Sequence, residues 1–140
     1  RLVKAPKIYV RDSGIAHALL GLGHKEQLLG HPVAGPSWES FVIETLLVQA
    51  PRGIEAHFYR TSAGAEIDLV LTLPGGRLWA VEIKRSSAPK LERGFHFASA
   101  DLEPARSFVV YPGTERFPLD AKTEVLGLAE FGKLLQASSA

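Results

Sequence analysis

The sequence predicts a mixed α/β (α+β) fold, a central sheet flanked by helices. Three observations lead there. Two runs that alternate polar and apolar residues, Ala65 to Leu71 and Trp79 to Lys84, lie either side of Leu73-Pro74-Gly75-Gly76-Arg77. Alternation is the period of a half-buried strand, and a Pro-Gly-Gly break between two such runs is a hairpin turn. A largely apolar stretch from Ala105 to Tyr111, stopped by Pro112-Gly113, reads as a further strand, and Pro36-Ser37 opens a helix-length segment that Pro51 and Gly53 close. With 140 residues, 46% of them hydrophobic and 22% charged, the chain has the size and composition of one globular domain with a real core.

In chain order, Lys7 to Val10 reads as a short strand. Asp12 or Ser13 caps a helix over Gly14 to Leu20, which ends at Gly21 or Gly23. His24 to Gly35 reads as a short helical turn and a Gly/Pro-rich loop. Ser37 is the expected N-cap of a helix from Trp38 to Gln49. His57 to Thr61 is a strand, joined by a Ser62-Ala63-Gly64 turn to the hairpin. Arg85 to Pro89 is a loop, and Lys90 to Ala98 a helix despite Gly94. After the Ala105 strand, Glu124 to Leu126 is a short strand and Leu128 to Leu135 a terminal helix. The expected sheet has four or five strands. No repeat, linker or low-complexity segment interrupts this order.

The hairpin carries the chemistry. Its apolar faces match if Ile67 sits opposite Ile83, which closes a three-residue Pro74-Gly75-Gly76 loop. That register sets Asp68 opposite Glu82, and Glu66 opposite Lys84. Facing Cβ atoms are about 4.5–5.5 Å apart, and like charges there are destabilising. Two facing carboxylates therefore ask for a cation, and Mg²⁺ and Mn²⁺ prefer oxygen ligands. The bland alternative is a solvated sheet face with a Glu66–Lys84 ion pair. On a helical wheel, Trp38, Phe41, Val42, Thr45, Leu46 and Val48 form an apolar stripe. Glu39 falls at its edge, between Leu46 and Ile43, while Glu44 falls with Ser40 on the solvated side. Glu39 is thus preferred to Glu44 as a third functional acid, since an acid beside a buried face needs a partner.

Bulk properties exclude several classes. A net charge of +1 gives no global case for nucleic-acid binding, although a local basic patch remains open. With no cysteine there is no disulfide or thiolate metal site, a pattern compatible with the cytoplasm. No apolar run approaches the roughly 18 residues of a membrane-spanning helix, and no signal peptide is visible. The five histidines lack metal spacing, and no Gly-rich phosphate loop is present, so no ATP site is expected. Arg1 in place of methionine reads as the start of a fragment of a longer protein.

The ordered set Lys7-x-Tyr9-x-x-Asp12-x-Gly14, Trp38-Glu39-Ser40-Phe41-Val42-x-Glu44, Phe58-Tyr59-Arg60-Thr61, Gly64-x-Glu66-Ile67-Asp68 and Val81-Glu82-Ile83-Lys84-Arg85-Ser86 resembles the PD-(D/E)XK nuclease superfamily. More narrowly, it resembles the C-terminal domain of unknown function that follows an AAA+ ATPase module and a winged helix in bacterial and archaeal proteins. The resemblance runs over residues 3 to 135. Ile67 stands where the superfamily's name has proline.

The resemblance implies a restriction-endonuclease-like fold and divalent-metal-dependent phosphodiester hydrolysis. Asp68 and Glu82 would ligate Mg²⁺ or Mn²⁺, with Glu39 a third ligand and the Ile83 carbonyl completing the set. Lys84 would act on the attacking water. Glu66 and Glu44 are accessory candidates. Arg60, Arg85 and Lys90 flank the site in sequence as candidates for phosphate contacts, and Tyr59 and Trp79 either stack on bases or fill the core. Partners implied are nucleic acid, the parent's ATPase module and a further copy of the chain. The competing expectation is a non-catalytic module for nucleic-acid binding, partner recognition or dimerisation, which the near-zero net charge favours.

Overall fold

The two alternating runs form the centre of the molecule. The computed structural model describes residues 6–138. It contains α1 (Ser13–Leu19), α2 (Lys25–Gly30), α3 (Ala34–Gln49), β1 (Glu55–Arg60), β2 (Glu66–Thr72), β3 (Leu78–Ile83), α4 (Arg93–Leu102), β4 (Arg106–Tyr111), β5 (Phe117–Pro118), β6 (Thr123–Gly127) and α5 (Leu128–Ala137). The strands make one mixed sheet in the order β1-β2-β3-β4-β6-β5. The β3–β4 and β4–β6 pairs are parallel and the others antiparallel. This is the mixed α+β architecture that the sequence predicts. Among the described residues, no helix is long and apolar enough to cross a membrane.

The β2–β3 register is the expected one where the ladder forms, with Leu69 opposite Val81 and Leu71 opposite Trp79. The loop is closed by the Leu73 N–H on the Arg77 carbonyl at 2.8 Å. Gly75 and Gly76 take φ of 82° and 77°, a region open to glycine at no steric cost. Leu69, Leu71, Trp79, Val81 and Ile83 pack with α3, α5 and the inner side of β4 and β6 into the main core. Within it Trp79, Phe108 and Phe131 stack, with Phe108 and Phe131 centroids 5.0 Å apart. The opposite face of β2 and β3 holds Val70 and Ala80 against Phe95 and Ala98 of α4. Central β4 is buried on both faces, which is why its run is continuous rather than alternating.

Four expectations are corrected. Lys7 to Val10 is not a strand. It lies along α3, where the Ser40 hydroxyl donates to the Val10 carbonyl at 3.1 Å. Helix α3 starts at Ala34, not after Ser37. Pro36 lies in its first turn, where the N–H that proline lacks has no intrahelical use, and the Ser37 hydroxyl is 2.6 Å from His17 Nε2. The buried side of α3 is rotated from the expected stripe. Ser40 and Ile43 are buried, whereas Phe41 is 47% and Val48 84% exposed. A sixth strand, β5, was not foreseen; its proline sits at the sheet edge, where no ladder donor is needed. Asp12 caps α1 as expected, accepting from the Gly14 and Ile15 N–H groups.

Gly94, puzzling in a helix, has a packing reason. A Cβ there would meet the Gly64 carbonyl oxygen at 2.8 Å, so α4 lies directly on the β1–β2 turn. Alanine normally gains about 1 kcal/mol over glycine in a helix. Here the sign should invert: we expect Gly94→Ala to destabilise by about 1–3 kcal/mol, the usual cost of overpacking, as a lower urea midpoint at unchanged slope.

Candidate functional site

Asp68 occupies an irregularity in the sheet. His57 pairs with Val70 and Tyr59 with Ile67, so the single residue Phe58 spans two residues of β2, Asp68 and Leu69. This is a β-bulge, and bulges re-aim side chains. Two consequences follow. Ile67 turns to the α4 side and joins Phe95 and Ala98, while Ile83 stays with the α3 side. The expected Ile67–Ile83 facing pair is thereby corrected. The Ile83 N–H donates instead to Asp68 Oδ2 at 2.9 Å.

A cleft of about 380 Å³ opens there, lined by the first turns of α3 and α4 and the ends of β2 and β3. Asp68, Glu82, Lys84, Glu39 and Glu66 all line it, together with Arg85 and Glu92. Glu82 is 8% exposed. Its Oε1 is 2.9 Å from the Lys84 ammonium, which also lies 3.6 Å from Glu92. Glu82 Oε2 has no hydrogen-bond partner among the described residues. The end of β3 is pinned to α3, because Trp38 Nε1 donates to the Lys84 carbonyl at 3.1 Å.

Lys7, which the sequence places in a strand without a role, lies at the heart of the cluster. Its Nζ is 2.8 Å from Glu66, 3.1 Å from Glu39 and 3.9 Å from Asp68. The Tyr9 hydroxyl donates to Glu39 at 2.8 Å. The spacing Lys7-x-Tyr9 was the only sequence signal for this pair. Burial works against the Lys7 charge, but the Glu66 and Glu39 hydrogen bonds outweigh it and hold the ammonium above its ordinary pKa. Burial and the Glu39 bond push the Tyr9 hydroxyl up to about 12. Burial, then the neighbouring Glu82 charge, pushes the Asp68 carboxyl up to about 7, against the pull of the Ile83 N–H. Burial also raises Glu82, opposed by Lys84.

Of the remaining expected residues, Glu66 and Arg85 line the cleft and the others lie outside it. Glu66 does not pair with Lys84; it holds Lys7 and, at 3.3 Å, Arg60. Glu44 pairs with Arg11 at 3.5 Å and does not line the cleft. Arg60 is half exposed on Glu66, and Arg85 is exposed at the cleft rim. Trp79 is buried in the core, and the Tyr59 hydroxyl donates to Asp101.

The donor set suits a hard dication, being carboxylates only, with one buried carboxylate oxygen unpartnered. As they stand, no three Asp, Glu, His or Cys side chains among the described residues form a group ready to hold a metal ion. The Lys7 ammonium lies among three of the acids instead.

The family model of a domain of unknown function, DUF4143, matches residues 34–131. The chain is also similar to uncharacterized proteins of Mycobacterium tuberculosis and Mycobacterium bovis. Each is 44% identical over 117 residues, which cover 83% of this chain and 26% of the relative. The chain thus spans about a quarter of the length of these curated relatives. No solved structure matches it.

The raised Asp68 carboxyl makes stability depend on pH. An unfolded aspartate keeps its proton only to about pH 3.9, whereas the folded one keeps it to about 7. Between those values the folded state binds more protons, so stability falls as pH rises and levels off above 7. Asp68→Asn should flatten that fall and gain up to about 4 kcal/mol at pH 8, the full worth of such a shift. Urea unfolding of both proteins from pH 4 to 8 checks this; parallel profiles would refute it.

Proposed function

This chain belongs to the DUF4143 family, and we propose that it is a divalent-metal-dependent nuclease-like domain of the PD-(D/E)XK kind. The restriction-endonuclease-like identity of the sheet is part of this proposal. So is attachment to an AAA+ ATPase module, for which the greater length of the relatives leaves room. The observation that carries the reading is the pair of part-buried Asp68 and buried Glu82 on adjacent strands, with the Lys84 ammonium beside Glu82 in the same cleft.

Asp68, Glu82 and Glu39 would hold Mg²⁺ or Mn²⁺. A bound dication supplies a water of lowered pKa and offsets charge on a phosphoryl group. The protein's own groups do the rest. The Ile83 N–H fixes the Asp68 carboxylate through Oδ2, and Oδ1 lies 3.9 Å from the Lys7 ammonium. Glu82 holds Lys84 in place, where a preorganised ammonium stabilises developing negative charge. Arg85 at the rim is free to meet a phosphate. Burial of the acids below the rim keeps their charge concentrated on whatever enters.

A second reading has one observation in its favour. Lys7 already neutralises the acids, as it would in a non-catalytic nucleic-acid-binding, partner-recognition or dimerisation module.

Cleavage of single- and double-stranded DNA and RNA with Mg²⁺ or Mn²⁺ separates the two. Asp68→Asn should weaken Mn²⁺ binding by calorimetry, having lost a charged ligand. Lys84→Ala should keep Mn²⁺ binding but cut about 10²–10³-fold more slowly, the usual loss for a group that stabilises charge in the transition state. A wild type that neither binds metal nor cuts would install the non-catalytic reading. Equal cutting by all three proteins would mark the activity as foreign to this site.

A further inference from the structure

The segment of residues 6–11 is not a strand or helix. Among the described residues, the hydrogen bonds that fix it run through side chains: Lys7 Nζ to Glu39, the Tyr9 hydroxyl to Glu39, and the Ser40 hydroxyl to the Val10 carbonyl. Lys7 also has an ion pair with Glu66 at 2.8 Å, and lies 5.7 Å from the centre of the Phe58 ring. Ile8, between the two anchors, is 89% exposed. The segment is thus a strap, held at its start by the partly buried Lys7 charge and further on by Tyr9 packed on the core and an Arg11–Glu44 ion pair.

The acids under the strap are the ones a dication would use. Glu39 and Asp68 touch Lys7, while Glu82 beside them keeps one buried oxygen without a partner. A dication and the Lys7 ammonium compete for these carboxylate oxygens, because like charges a few ångström apart repel in a partly desolvated cleft.

We propose that Lys7 is the built-in counter-ion of this cluster. A divalent cation entering among Glu39, Asp68 and Glu82 expels the Lys7 ammonium and lifts the strap from α3, so that ion binding and strap docking exclude each other. This rests on the metal-site reading above. It makes the strap docked when ion-free and released when loaded, and the coupling is reciprocal: whatever pulls the strap away raises ion affinity by the same factor. When the strap lifts, the Tyr9 bond to Glu39 goes with it, freeing a carboxylate for the ion.

The test uses the whole chain and two measurements. Calorimetry with Mn²⁺ compares wild type, Lys7→Met and Lys133→Met. Lys133 pairs with Glu130 on the exposed side of α5 and controls for the loss of one positive charge. Lys7→Met should bind Mn²⁺ about tenfold more tightly, within the ordinary range of such couplings, and Lys133→Met should match wild type. The second measurement needs no change at Lys7. The chain has no cysteine, so Ile8→Cys takes a single thiol-reactive dye at an exposed site. Mg²⁺ should lower the dye's anisotropy, and a chelator should restore it. Equal Mn²⁺ affinity of wild type and Lys7→Met would overturn the proposal and leave the metal reading standing, as would an unchanged anisotropy on a protein that binds Mg²⁺. If neither protein binds either ion, the metal reading falls and this proposal with it. Should Lys7→Met fail to fold, the dye measurement decides.

Discussion

The bulge at Asp68 is the constraint on which the rest of the site depends. In an unbroken ladder the Ile83 N–H would bond a backbone carbonyl of β2, and Asp68 would stand as one more alternating residue. The extra residue opposite Phe58 ends the regular pairing at Leu69–Val81. The Ile83 N–H is then satisfied by the Asp68 carboxylate. A donor lost from the sheet thus becomes the group that orients the acid, which keeps the backbone accounting complete. The same bulge sends Ile67 to the α4 core, so it is held by burial of a large side chain on one face and by the Ile83 N–H bond to the Asp68 carboxylate on the other.

Around that point five carboxylates come from four places: Glu39 from α3, Glu66 and Asp68 from β2, Glu82 from β3, and Glu92 from the approach to α4. Two lysines balance them in separate compartments. Lys84 serves Glu82 and Glu92, and Lys7 serves Glu39, Glu66 and Asp68. Such half-buried ion networks are poor sources of stability, because taking the charges out of water costs about what their attraction returns. An acid cluster at the end of an otherwise apolar sheet is therefore a weak contributor to the stability of the fold. The stability of the molecule resides elsewhere, in the Trp79–Phe108–Phe131 stack and the aliphatic side chains around it.

The helices frame the cleft rather than merely covering the sheet. Trp38 ties α3 to the end of β3 through the Lys84 carbonyl. Gly94 lets α4 lie on the β1–β2 turn at backbone distance. The two first turns thereby approach the acids from either side. Small adjustments at Trp38 or Gly94 would move the walls of the cleft without touching a charged group.

What the sequence determined by itself was set by short-range periodicity and turn chemistry. Alternation gave β2 and β3 their period, Pro74-Gly75-Gly76 gave the loop and hence the register from Leu69 to Thr72, and the apolar Ala105–Tyr111 run marked a further strand. Asp12 was legible as a cap because capping acts over three residues. The residues Asp68, Glu82, Lys84 and Glu39 could be singled out from strand and helix positions, and all four line one cleft. The tertiary structure decided what no local pattern encodes. The bulge depends on how β1 pairs with β2, a choice made across the turn and not within the alternating run. The start of α3 at Ala34 was hidden because a first-turn proline looks like a boundary. Glu66 turned from Lys84 to Arg60, its ladder partner on β1, and to Lys7, and Glu44 to Arg11, because Lys7 and Arg11 arrive from a distant segment. Lys7 and Glu39 are 32 positions apart in sequence, and only the laying of the strap along α3 brings the ammonium among the acids.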